Sequence, residues 1–141
     1  MNTHESIGLE EARRALNTIL AATTERDNPV AIAVTDAHGD LICCARQDGA
    51  AARMVRRARA KAYSASTLGM DTVIFRDTVV KAEGRTLEDW GDPMLTSLQG
   101  GLVVKSHGKV VGGIALSGNS TKRDEQLARI GLTAMGLDPE A

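Results

Sequence analysis

Residues 100–125, GGLVVKSHGKVVGGIALSGNSTKRDE, set a β-hairpin directly before a helix, with glycines at the joints. Val103, Val104, Val110, Val111, Ile114 and Leu116 supply β-branched and apolar strand residues, and Ser106-His107-Gly108 supplies the turn. The chain then leaves the second strand through Ser117-Gly118 and enters a helix whose first turn holds Thr121 and Asp124, a short capping box. The first N–H groups of such a helix have no intrahelical partner and carry the positive end of its dipole, so a carboxylate or phosphate can settle there. Equally, Gly118 can serve the turn alone, and Ser120 or Thr121 the cap alone.

The rest of the chain extends this pattern. Leu9, Ala12, Leu16, Ile19 and Leu20 recur at helical spacing, predicting a helix from about Ser6 that stops before Asp27-Asn28-Pro29. Runs 30–35 and 41–46 read as strands, joined by the turn Asp36-Ala37-His38-Gly39-Asp40. Residues 50–68 contain strong helix formers and no breaker. Residues 71–83 mix β-branched residues with a Phe75, Val79, Ala82 spacing, which favours helix. Asp92-Pro93 reads as a cap and first helical position, giving a short helical turn through Leu98. Leu127, Ile130, Gly131 and Ala134 line one face of the last helix. Two hairpins among helices predict an α+β fold, an antiparallel sheet flanked by helices. A length of 141 residues suits one domain over 1–141.

Several function classes are set aside by composition. Aromatic residues make up only 2% of the chain (Tyr63, Phe75, Trp90) and the net charge is −1, so neither base stacking nor electrostatics favours a nucleic-acid partner. The N-terminal MNTHESIGLEEARR is polar and already helical in pattern, which predicts no signal peptide, no membrane partner and a cytoplasmic protein. Cys43 and Cys44 are adjacent in a strand, where they point to opposite faces and read as reduced. His4, His38 and His107 lack metal-ligand spacing, so no metal site is expected.

The helix at 50–68 carries Arg53, Arg56, Arg57, Arg59 and Lys61. At about 100° per residue, Ala51, Val55, Ala58, Ala62 and Ala65 form one stripe, with Met54 at its edge and Lys61 beside it. Arg53 and Arg56 point away from the stripe and suit a solvated face. Lys61 is the cation expected to be half-buried, its ammonium reaching a pocket or one of Asp36, Asp48 or Glu125. Arg46 ends a strand, where a guanidinium can grip a carboxylate through two hydrogen bonds. Asp48 suits a helix cap.

Val34-Thr35-Asp36 with Gly39, Arg46-Gln47-Asp48-Gly49-Ala50, Lys61-Ala62, Gly100-Gly101, Val110-Val111-Gly112 and Ser117-Gly118 followed by Asp124-Glu125 resemble, in order and spacing, the GlcG/HbpS family. The resemblance spans nearly the whole chain. It implies a profilin-like α-β-α domain assembled into homo-oligomers: dimers, tetramers or octamers. Family members include haem-binding proteins, a glycolate-operon protein, domains attached to corrinoid adenosyltransferases and a hydroxylaminobenzoate lyase. The proline that commonly follows the Gly-Gly pair by one residue is replaced here by Val103.

Three functions are compatible with these residues. The first is a small-ligand-binding protein, taking haem or a small carboxylated metabolite in a pocket near a subunit interface and marked by Arg46, Lys61, Gly100, Gly101, Ser117 and Gly118. The second is a cofactor-independent lyase or isomerase acting on a small aromatic carboxylate, with Lys61 or Glu125 moving the proton. The third is an assembly module without chemistry. Few aromatics and scattered histidines weigh against haem, which needs apolar walls and an axial donor.

Overall fold

The computed structural model describes residues 1–140. Its elements run α1 (Leu9–Ala22), β1 (Ala31–Asp36), β2 (Leu41–Arg46), α2 (Arg53–Leu68), α3 (Thr72–Ile74), β3 (Gly101–Ser106), β4 (Lys109–Ser117) and α4 (Thr121–Ala134). The four strands form one antiparallel sheet in the order β2-β1-β4-β3, so both hairpins lie side by side with β1 against β4. This is the α+β, profilin-like arrangement that the sequence implies, with helices on both faces of the sheet.

The two faces are built from different side chains. On one, Ile32, Val34, Leu102, Ile114 and Leu116 meet Ala12, Ala15 and Ile19 of α1 and Leu127 and Ala128 of α4. On the other, Ala31, Ala33 and Ala115 meet Met54, Ala58 and Ala62 of α2. Small residues on both sides let the α2 backbone approach the sheet closely. Gly101 shows how closely: a Cβ there would lie 2.4 Å from the Lys61 carbonyl oxygen and 2.8 Å from the Thr72 methyl carbon, so only glycine fits. The β3–β4 turn has His107 at φ 51° and Gly108 at φ 76°, both left-handed, as a tight two-residue hairpin requires.

Some expected boundaries move. The first helix spans Leu9–Ala22, and Leu9 on it is exposed; the basic helix begins at Arg53 rather than at Ala50. Residues 72–83 are helical, with Asp71 extended before them, but a π-helical run at Phe75–Lys81 occupies most of the segment. The expected helical turn after Asp92-Pro93 is absent. A 3-10 turn lies instead at Leu87–Trp90, closed by a reciprocal Thr86–Asp89 capping box. Asp92 holds an Asx-type turn, its Oδ1 accepting from the Met94 N–H at 3.0 Å, while its Oδ2 accepts from the Tyr63 hydroxyl at 2.5 Å. On α4, Asp124 and Ala128 are buried with Leu127 and Gly131, whereas Ile130 turns outward.

Candidate functional site

Lys61 lies on the sheet-facing side of α2 and is fully buried, not half-buried. Its Nζ donates to the Leu116 carbonyl at 2.8 Å and stands 3.6 Å from Asp124 Oδ2, whose side chain is equally closed to solvent. The partner is therefore Asp124, and none of Asp36, Asp48 and Glu125 pairs with it. Gly100 makes room for the ammonium, since a Cβ there would stand 2.8 Å from Nζ. Ser117 follows the accepting carbonyl and turns its hydroxyl to Met54 Sδ at 3.3 Å.

Asp124 also replaces the anion expected at the start of α4. Ser120 caps that helix by accepting the Arg123 N–H at 3.2 Å. Asp124, one turn in, reaches back to accept the Asn119 N–H at 3.1 Å, and the Gly118 N–H supports the same carboxylate. The helix start thus holds an anion, but a covalent one belonging to the chain. Burial pushes the Asp124 carboxyl above its ordinary value, against the lowering effect of Lys61 and the two backbone N–H groups. Burial likewise pushes Lys61 down, with Asp124 opposing and Arg57 adding to the shift. Such a pair ties α2, the end of β4 and α4 together, with both side chains closed to solvent in the single chain.

Of the residues singled out in the sequence, Lys61, Gly100, Gly101, Ser117 and Gly118 gather around this pair. Arg46 and Glu125 do not join them. Arg46 is exposed on edge strand β2, and Glu125 accepts from Gln99 Nε2 at 3.2 Å. Lys61 and Glu125, either of which the lyase or isomerase reading uses to move the proton, thus lie apart, Lys61 against Asp124 and Glu125 against Gln99. Asp124 escaped the sequence reading because it was assigned to a capping box. The signal was its spacing, as Asp124, Leu127, Ala128 and Gly131 share one buried helical stripe.

Open space lies elsewhere. A groove of about 610 Å³ runs along edge strand β3, where Met70, Val103, Leu132 and Leu137 provide apolar wall and Lys105 and Arg129 are cationic. Arg129 stands 3.6 Å from Asp71, whose other oxygen accepts the Val103 N–H at 3.0 Å and so caps the strand edge. Asp71 and Thr72 together satisfy β3: Thr72 Oγ1 accepts the Gly101 N–H at 3.0 Å. Among the described residues no cluster of His, Cys, Asp and Glu is arranged to hold a metal ion, and no helix is long and apolar enough to cross a membrane.

With that geometry in view, a family model described as haem degrading protein HbpS-like matches residues 7–133. The chain belongs to the HbpS-like family. Its fold superposes on HbpS of Streptomyces reticuli, solved as a double mutant, with a TM-score of 0.83 and 30% identity over 94% of this chain and 89% of that one. PduOC, solved as a haem complex, shares the fold at TM-score 0.84 and 22% identity, covering 96% of this chain and 99% of that one. An uncharacterized 15.0 kDa protein from the dhaT-dhaS intergenic region of Citrobacter freundii is 29% identical over 128 residues, 90% of each chain. In this HbpS-like chain Lys61 and Asp124 are buried where α2, β4 and α4 meet, and the β3 groove is one of several open clefts on the surface.

Proposed function

We propose that this HbpS-like protein binds a small ligand with an apolar body and carboxylate groups, haem foremost, in the groove along β3. The observation that carries this reading is the groove itself: about 610 Å³, apolar on Met70, Val103, Leu132 and Leu137, with Lys105 and Arg129 available to carboxylates. That volume lies within the usual range for small-molecule sites. Met70 brings a thioether to the lining, a soft donor of the kind that ligates haem iron, and the two cations suit propionates. Haem, when bound, would supply redox-active iron; the chain's own part is to bind, orient and shield it. Membership of the HbpS-like family and the haem complex of PduOC support the choice of ligand. Ile74 in the groove and Ile130 beside it are 47% and 38% exposed, and we place the contact between copies of a homo-oligomer on this side.

The test is a haemin titration followed at the Soret band. Saturation near one haem per chain is expected, weakened at least tenfold by Leu132→Glu, whose side chain lines the groove, with an unchanged far-UV spectrum. An absorbance identical to that of free haemin plus protein would refute the haem assignment. Light scattering coupled to gel filtration reads the assembly, and a monomer at micromolar concentration would remove the interface.

A further inference from the structure

The two edges of the sheet are finished differently. At β3 the outward backbone is already engaged: Asp71 Oδ1 accepts the Val103 N–H and Thr72 Oγ1 accepts the Gly101 N–H, both at 3.0 Å. Edge strand β2 has no such cover, and among the described residues its backbone hydrogen-bonds only to β1. The Gln47 N–H donates to the Val30 carbonyl, which fixes the phase of the ladder. Alternation then turns the N–H and C=O groups of Cys43 and Ala45 toward β1 and those of Cys44 and Arg46 outward. The devices that usually blunt a bare edge are missing as well. Residues 41–46 contain no proline and no lysine, and the bulge at Val34/Thr35 lies at the Leu41 end, leaving 43–46 regular. On the side of the sheet that faces α2, Leu41 and Cys44 are exposed.

A bare edge of this kind takes another strand, and the finished edge at β3 decides which one. Copies cannot add β2 to β3, head to tail, because the β3 backbone is occupied; the free edge that a second copy offers is its own β2. We infer that β2 pairs antiparallel with β2 of a second copy about a two-fold axis at Cys44, joining two four-stranded sheets into one. Of the two outward-facing residues, Cys44 lies nearer the middle of the strand. An axis there pairs residues 42–46 of both copies, whereas Cys44 opposite Arg46 would pair only 44–46. Charge supports the same occupant. Asp40 and Arg46 flank the strand at its two ends, and among the described residues neither has an ion-pair partner in its own chain. The two-fold brings the Arg46 end of each copy to the Asp40 end of the other. This interface lies on the opposite edge of the sheet from the contact proposed beside the β3 groove and does not depend on the ligand.

Light scattering coupled to gel filtration reads the test. Cys44→Lys sets two like charges face to face at the axis and is expected to halve the native molar mass with an unchanged far-UV spectrum. Cys44→Pro removes only an outward N–H, which an edge strand tolerates, and should halve the mass as well. A second measurement needs neither variant. In a Cys43→Ala background, diamide should join the two Cys44 thiols into a dimer that a reducing agent returns to single chains. Residues opposite one another in a hydrogen-bonded pair have Cα atoms about 5.5 Å apart, within disulfide reach. Should either variant fail to fold, this cross-link decides. A native monomer at micromolar concentration, a molar mass unchanged in both folded variants, or a Cys43→Ala protein that does not cross-link would overturn the pairing.

Discussion

A buried lysine is stable only in company, and Lys61 has a thin complement of partners: one carbonyl at 2.8 Å and one carboxylate oxygen at 3.6 Å that makes no hydrogen bond of its own. Removing one member of a buried pair leaves the other charge uncompensated, at a cost of roughly 3–5 kcal/mol. Lys61→Met is therefore expected to lose about that much at neutral pH. The loss has a defined pH dependence. Asp124 already has a raised folded-state pKa from burial, and without Lys61 it is raised further. A raised carboxyl favours the fold once protonated, so its contribution is full below the unfolded value of 3.8 and disappears as pH rises through the folded one. The variant's deficit in urea unfolding should thus shrink between pH 8 and pH 5. An equal deficit at both values would mean that lost packing, rather than the stranded carboxylate, is the cause.

Element by element, what was legible in the sequence is what local chemistry decides. The β2 span 41–46 and the β3–β4 turn agree with the pattern of apolar residues and turn formers, because alternation and left-handed turn residues act within a few positions. The helical turn expected after Asp92-Pro93 failed because Asp92 is drawn to Tyr63, a residue 29 positions away that no local rule can register. Lys61 was recognisable by its place beside an alanine stripe, but its partner was not, since the pairing depends on how α2 and α4 meet at the end of β4. The start of α4 has a second long-range tie of the same kind. Arg123 clasps Asp27 through two hydrogen bonds of 2.8 and 3.0 Å, holding the chain before β1 to the first turn of α4. The Arg123 hydrogen bonds lower Asp27 to about 2 from 3.8, so the pair's contribution is present above pH 3.8 and fades as pH falls through about 2. Arg123→Gln should cost about 1 kcal/mol at neutral pH, as Arg123 is partly exposed. It should also flatten the acid limb of the stability curve. A limb of unchanged slope between pH 4 and pH 2 would place the acid transition in other carboxylates.

At the scale of the whole molecule, one sheet serves two unlike cores, and that determines how damage spreads. The face under α1 and α4 is filled by branched aliphatics, so Leu127→Ala should leave a cavity worth roughly 2–5 kcal/mol. The face under α2 is filled by alanines at close approach, so the harmful change there is enlargement. Ala115→Leu drives a side chain into Ala58 and Ala62 territory, at a cost of roughly 1–3 kcal/mol. Both residues lean on β4, which pairs with β1 and β3 at the centre of the sheet, so neither core can open without the other. Trp90 allows this coupling to be watched. It is the chain's single tryptophan, stacked edge-on against buried Phe75 at 5.0 Å, in a segment tied to α2 through Tyr63–Asp92 and Ser64–Thr96 hydrogen bonds. Leu127 lies on the opposite face of the sheet from that segment. In urea, Leu127→Ala should move the Trp90 fluorescence midpoint and the far-UV ellipticity midpoint together and by the same amount. Were the fluorescence midpoint to stay at the native value while the ellipticity shifted, the segment around Trp90 would unfold on its own, and the single-transition account of the two cores would be lost.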